Sequence, residues 1–127
     1  MLLARYRIED NELDAAKAQL QWVLDNESSD DIRTTARIRL ARVLVSQADY
    51  DGALALLDAI ETGGSQQGLV SEVRGDIYSQ RGDSQQAADA YSAALLLLPA
   101  DSPARNIVLL KYDSVIALLE PVEDKPQ

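Results

Sequence analysis

The sequence contains no cysteine and no histidine. These absences exclude disulfide bonds, thiol nucleophiles, imidazole acid–base catalysis and the usual zinc and copper sites. Paired carboxylates or Ser-Lys chemistry are the remaining routes to catalysis, but acidic residues scattered among polar positions are more simply a solvated surface. We therefore expect a protein that is not an enzyme and that binds no metal and no cofactor.

Basic residues are also scarce. The 127-residue chain has 12 Lys and Arg against 21 Asp and Glu, a formal net charge of −9. A nucleic-acid-binding protein needs a basic face to neutralise phosphates, so the charge argues against that class. No run approaches the roughly 18 apolar residues of a membrane span, and no signal peptide opens the chain. Met1 runs straight into apolar Leu2 and Leu3 without a capping residue, so we expect a preceding segment to be missing.

The rest of the sequence predicts helices almost throughout, because apolar residues recur at spacings of three and four and helix-forming residues dominate. Helix breakers divide the chain at regular intervals, beginning with Asp10-Asn11. Ser102 followed by Pro103 is a typical helix start. Seven helical segments are predicted, at residues 2–9, 13–25, 32–47, 50–61, 69–81, 84–98 and 103–119.

The pattern repeats with a period of 34 residues. Ala53 aligns with Ala87, and Leu57 aligns with Tyr91. Residues 68–101 resemble the tetratricopeptide repeat, a helix pair of this length. The expected fold class is all-α, a tetratricopeptide-like right-handed superhelix of about three helix pairs plus a C-terminal capping helix. The domain covers 1–120, with repeats at about 1–30, 34–67 and 68–101, a terminal helix at 103–119 and a flexible tail at 121–127. The structural repeat positions are Ala41, Ala53, Gly75, Tyr78, Gly82, Ala87, Tyr91 and Pro99.

Two Arg-Gly-Asp sequences, at residues 74–76 and 81–83, have an explanation in this repeat. Gly75 falls where the two helices of a repeat press together, and Gly82 falls at the turn between them, where a residue with positive φ ends the first helix. We therefore interpret the double motif as a product of repeat spacing rather than as an adhesion site.

Two longer stretches carry a narrower resemblance. ARIRLARVLVSQADYDGALALLDAIE (residues 36–61) and SEVRGDIYSQRGDSQQAADAYSAAL (residues 71–95) resemble the periplasmic part of the YfgM family, ancillary subunits of the bacterial Sec translocon. A weaker pattern, P-A-x6-K, ends at Lys111. The resemblance implies a non-catalytic adaptor, the periplasmic domain of an inner-membrane protein whose N-terminal anchor lies outside this chain. Expected partners are translocon subunits, periplasmic chaperones or unfolded secretory clients, with no nucleic acid.

The resemblance to tetratricopeptide repeats also implies a concave groove lined by the first helices of successive repeats. The groove positions predicted to bind protein are Ile38, Arg42, Val45, Leu69, Glu72 and Asp76. If the last helix packs into the groove end, Leu110 and Asp113 would compete with a peptide. Two alternatives stay open: a repeat scaffold of another envelope assembly machine, for outer-membrane or pilus biogenesis, and a small hydrolase with an acidic site.

Overall fold

The structure, a computed structural model, describes residues 2–61 and 64–120, with side chains from residue 11 onwards. These residues form six α-helices and no strand. The helices are α1 (Leu2–Asn26), α2 (Asp30–Ser46), α3 (Tyr50–Asp58), α4 (Gln67–Arg81), α5 (Ser84–Leu97) and α6 (Pro103–Leu119). None of the helices in this part of the chain is both long enough and apolar enough to cross a membrane.

The chain divides into two compact units, residues 1–62 and 63–127. In the first unit α1 packs on α2 and α2 packs on α3. In the second unit α4 packs on α5 and α5 packs on α6. The predicted flexible tail at residues 121–127 lies outside the described residues.

The prediction of two helices before residue 26 is wrong. The backbone continues through Asp10 and Asn11 as part of the 25-residue helix α1. Neither residue is Gly or Pro, and each costs at most about 0.7 kcal/mol in a helix interior, which strong helix formers on the C-terminal side can offset. Among the described residues the count of seven helices is therefore corrected to six, and residues 2–26 do not form a helix pair.

The turn between α2 and α3 and the turn between α4 and α5 have the same hydrogen bonds, 34 residues apart. Ala48 N–H donates to the carbonyl three residues earlier (2.9 Å) and Asp49 N–H to the carbonyl five residues earlier (2.8 Å). Gly82 and Asp83 make the equivalent bonds at 3.1 and 2.8 Å. Ala48 and Gly82 both have left-handed backbones, with φ of 60° and 84°. A positive φ at this position lets the last carbonyls of a helix be satisfied, so the repeat period is present in the backbone itself.

Side-chain caps mark two helix starts. The Asp49 carboxylate accepts a hydrogen bond from Gly52 N–H at 3.0 Å at the start of α3. The Ser102 hydroxyl accepts one from Ala104 N–H at 3.2 Å, and Pro103 occupies the first turn of α6. These contacts satisfy donors that would otherwise lack an intrahelical partner.

Each unit has its own small apolar core. In the first unit the buried cluster of Leu24, Ala36 and Leu40 is joined by Leu20, Val23 and Leu56. In the second unit α5 and α6 supply the buried cluster Ala87, Ala88, Tyr91, Ala94, Val108 and Val115. Tyr78 is half-buried and packs against this second cluster.

Helices α4 and α5 approach closely at Gly75. This residue is buried, and a Cβ atom placed on it would lie 2.5 Å from Cδ1 and 2.9 Å from Cζ of Tyr91. Real Cβ contacts do not come so close, so glycine lets the Tyr91 ring lie directly against the α4 backbone. Tyr91 is thereby fixed with its hydroxyl beside the polar residues of α4.

Candidate protein-interaction surface

Three of the predicted groove residues lie on one face of α2, because residues 38, 42 and 45 are spaced by four and three positions. Arg42 is exposed and Val45 is half-buried, whereas Ile38 is 2% exposed. A peptide could therefore contact Arg42 and part of Val45, but the side chain of Ile38 belongs to the interior of the protein. Peptide binding at this face stays a prediction.

The other three predicted groove residues lie on α4. Leu69 and Asp76 are half-buried, and Glu72 is buried. The two carboxylates do not face an open groove, because Lys111 of α6 reaches them. Its ammonium nitrogen Nζ lies 2.9 Å from Glu72 Oε2 and 3.1 Å from each carboxylate oxygen of Asp76. The terminal helix therefore occupies this part of the predicted groove.

Tyr91 completes the group, which we call the Lys111 cluster: Glu72, Asp76, Tyr91 and Lys111. The Tyr91 hydroxyl donates a hydrogen bond of 2.6 Å to Asp76 Oδ1. Asp76 thus accepts from a phenol on α5 and an ammonium on α6. One short segment of α4 is linked in this way to both helices that follow it.

The two hydrogen-bond donors of the Lys111 cluster, the Tyr91 hydroxyl and the Lys111 ammonium, keep their protons at neutral pH. Burial, and then the hydrogen bond to Asp76, raise the pKa of Tyr91 above its ordinary value of 10.0. Burial alone would lower the pKa of Lys111, but hydrogen bonds to Glu72 and Asp76 outweigh it and raise that pKa above 10.5. A neutral phenol and a charged ammonium are fixed donors for the two carboxylates. The arrangement therefore links α4 to α5 and α6.

The contact between α6 and α4 differs from the one expected. Leu110 is 69% exposed and Asp113 is exposed, so neither points into α4. Lys111, which lies between them, makes the contact instead. In the sequence Lys111 stands out only as the end of the P-A-x6-K pattern, and that spacing is the one signal that could have singled it out. Its partners could not be read locally, because Glu72 is 39 residues away.

Equivalent positions of the two helix pairs carry different kinds of side chain. Glu72 stands 34 residues after Ile38, and Asp76 stands 34 residues after Arg42. Positions 38 and 72 are both buried, one filled by an aliphatic side chain and the other by a carboxylate with a lysine partner. The same backbone position can therefore hold either a buried aliphatic side chain or a buried carboxylate with a lysine partner. The Lys111 cluster is specific to the second helix pair.

Comparison with known proteins agrees with the repeat architecture. A family model described as "Tetratricopeptide repeat-like domain" matches residues 1–117. The chain belongs to this family. The predicted fold class, an all-α tetratricopeptide-like repeat, is confirmed.

Two curated relatives have the description "Ancillary SecYEG translocon subunit". The protein from Neisseria gonorrhoeae is 35% identical over 116 residues, which are 91% of this chain and 54% of the relative. The protein from Escherichia coli is 37% identical over 93 residues, 73% of this chain and 45% of the relative. These matches confirm the resemblance to the YfgM family. The chain spans about half the length of the curated relatives it matches.

Proposed function

We propose that this chain is a non-catalytic protein–protein interaction domain of an ancillary subunit of the bacterial Sec translocon. The observation that carries the proposal is the pair of relatives with that description, aligned over 116 and 93 residues. A tetratricopeptide-like domain matched over residues 1–117 supports binding of protein rather than catalysis. In the finer form of the proposal, the domain lies in the periplasm, is anchored to the inner membrane by a preceding segment, and contacts chaperones or emerging secreted chains.

The chemistry of the polar residues supports a non-catalytic role. Acid–base catalysis needs a group whose pKa lies near the working pH. In the Lys111 cluster the pKa of Tyr91 and that of Lys111 are both raised from values already above neutrality. Glu72 and Asp76 are engaged by these donors rather than by an open site. This argues against the acidic hydrolase considered from the sequence.

The face of α2 is the better candidate for partner binding. Arg42 is exposed beside the half-buried Val45, which puts a positive charge next to apolar surface. On α4 the carboxylates are occupied by Lys111, leaving the half-buried Leu69 as the remaining predicted contact. A small apolar area predicts weak binding of an unfolded chain, which also loses conformational entropy when it is ordered.

Affinity capture of the tagged full-length protein from detergent-solubilised membranes tests the partner. We expect translocon subunits among the captured proteins. The charge reversal Arg42→Glu should reduce their recovery, whereas Lys17→Glu, the same change in net charge at an exposed position of α1, should not. Capture of outer-membrane or pilus assembly proteins instead would favour the alternative envelope scaffold.

Binding of clients needs a separate titration with a labelled, unfolded secretory precursor. Because Ile38 is buried, an Asp there would test folding, so Val45→Asp is the usable companion to Arg42→Glu. We expect weaker binding by the double variant with an unchanged circular dichroism spectrum. Equal binding by wild type and an equally folded double variant would rule out this face of α2.

A further inference from the structure

Helix α1 has the same pattern of apolar residues as α5, but these residues are less buried. Three residues of α1 stand 71 positions before three of α5: Ala16, Leu20 and Val23 before Ala87, Tyr91 and Ala94. The three residues of α5 are at most 2% exposed, whereas the three of α1 are only half-buried. The apolar side of α1 is therefore covered less completely than the equivalent side of α5.

Two positions beside these residues show the same difference. Gln19 is exposed, and Trp22 is 65% exposed. Their equivalents in α5, Ala90 and Ala93, are both half-buried. The five positions of α1 lie on one side of the helix, because they are spaced by three and four residues. We call this surface the Trp22 face: Ala16, Gln19, Leu20, Trp22 and Val23.

The difference follows from one neighbouring helix. α5 packs on α4, which precedes it, and on α6, which follows it. Gly75 lets the backbone of α4 lie against the ring of Tyr91, which is the equivalent of Leu20. In the described part of the first unit, α1 packs extensively only on α2, the helix that follows it. No helix described there takes the place beside α1 that α4 takes beside α5.

The Trp22 face has the chemistry of a surface that packs against another helix. None of its five side chains is charged, although the same helix carries Asp14, Lys17 and Asp25 at other positions. A covered tryptophan buries about 150–250 Å² of surface, more than any aliphatic side chain of this face. Tryptophan beside small and aliphatic residues is typical of the centre of a packed contact.

The relatives have enough chain to supply a further neighbour for α1. The aligned residues make up 54% of one relative and 45% of the other, so about half of each relative lies outside the alignment. In a repeat protein each unit packs on the units next to it. The expected occupant of the Trp22 face is therefore a further helix of the same chain rather than a separate protein.

We propose that, in the full-length protein, a helix from outside these 127 residues packs on the Trp22 face and takes the place beside α1 that α4 has beside α5. Trp22 is then a contact between two parts of one chain, and its exposure falls to that of a half-buried residue such as Ala93. The proposal rests on membership of the family and does not depend on what α2 binds.

Thiol labelling tests whether the face is covered, because these 127 residues contain no cysteine. Gln19→Cys lies on the Trp22 face, and Gln21→Cys is the matched control at another exposed position of α1. Both changes are made in the 127-residue chain and in the full-length protein, with any cysteine elsewhere replaced by serine. Maleimide should label position 19 at least about tenfold more slowly in the full-length protein, because a covered thiol reacts only when the helix above it opens. Position 21 should react at the same rate in both.

Photo-crosslinking identifies the occupant. With a photoreactive phenylalanine at position 22 of the full-length protein, mass spectrometry should locate an adduct within the same chain, to a residue outside these 127. Position 21 should give no such adduct. Three results would overturn the proposal: equal labelling of position 19 in both proteins, equal slowing at positions 19 and 21, or adducts from position 22 only to a second molecule or to residues within the 127. The role of α2 in binding partners is tested separately, through Arg42.

Discussion

Replacing Lys111 with methionine is expected to lower the free energy of unfolding by about 1–3 kcal/mol. Removing one partner of a fully buried ion pair costs about 3–5 kcal/mol, because the remaining charge has no compensation. The carboxylates here are partly solvated, with side-chain exposures of 10% for Glu72 and 28% for Asp76. Asp76 also keeps the hydrogen bond from the Tyr91 hydroxyl. Both facts place the expected cost below that of a fully buried pair.

A second variant tests whether the cost of Lys111→Met comes from leaving the Glu72 carboxylate buried without a partner. In the first unit Ile38 fills the position equivalent to Glu72 and is 2% exposed. The double variant Glu72→Ile, Lys111→Met places the same apolar residue at position 72. It removes the buried carboxylate together with its ammonium partner. Replacing a buried ion pair by apolar residues is often close to neutral. We therefore expect the double variant to regain most of the stability that Lys111→Met loses.

Urea unfolding followed by far-UV circular dichroism measures these differences, provided that the variants share one m-value. Lys17→Met is the control, since Lys17 is exposed on α1 and its replacement should change stability by less than about 0.5 kcal/mol. The reasoning is refuted if Lys111→Met behaves like Lys17→Met, or if the double variant is less stable than the single one.

Three further predictions concern the helix pairs. Gly75→Leu should cost about 1–3 kcal/mol by overpacking, because its side chain must displace the Tyr91 ring; an unchanged melting temperature would contradict this. Ala48→Gly should raise stability in urea by about 0.5–1 kcal/mol, because Ala48 has φ 60° where the equivalent Gly82 has φ 84°; a loss of stability would show that Ala48 is not strained. Both Tyr91 and Lys111 have a folded-state pKa raised above its usual value, so their contribution to stability is complete below about pH 10 and is lost as pH rises beyond it. Tyr91→Phe should reduce this alkaline loss in unfolding experiments at a series of pH values, and an unchanged profile would count against the raised pKa of Tyr91.

The parts of the fold that could be predicted are those that depend on local sequence. Ser102 and Pro103 mark the start of α6, and the hydroxyl of Ser102 does accept a backbone hydrogen bond there. The Asp49 side chain likewise caps α3. The break expected at Asp10-Asn11 was wrong, because polar residues without Gly or Pro stop a helix only when tertiary contacts favour a turn.

The site was harder to predict because its contacts are distant in sequence. Periodicity places Glu72 and Asp76 on one face of α4, but it does not show which residue covers that face. Lys111 reaches them from 39 and 35 residues away. The burial of Ile38 also depends on packing between helices, which its spacing in the sequence does not show. Arg42 is exposed, which agrees with the surface position expected for it.

Photo-crosslinking in living cells tests the central claim, that this domain contacts the translocon or the chains that pass through it. A photoreactive phenylalanine would be placed at position 42 of α2 in the full-length protein, and at the exposed position 17 of α1 as the control. We predict adducts to translocon subunits or to secreted chains from position 42 and few from position 17. Equal labelling from both positions, or adducts from position 42 only to proteins of another envelope machine, would contradict the account.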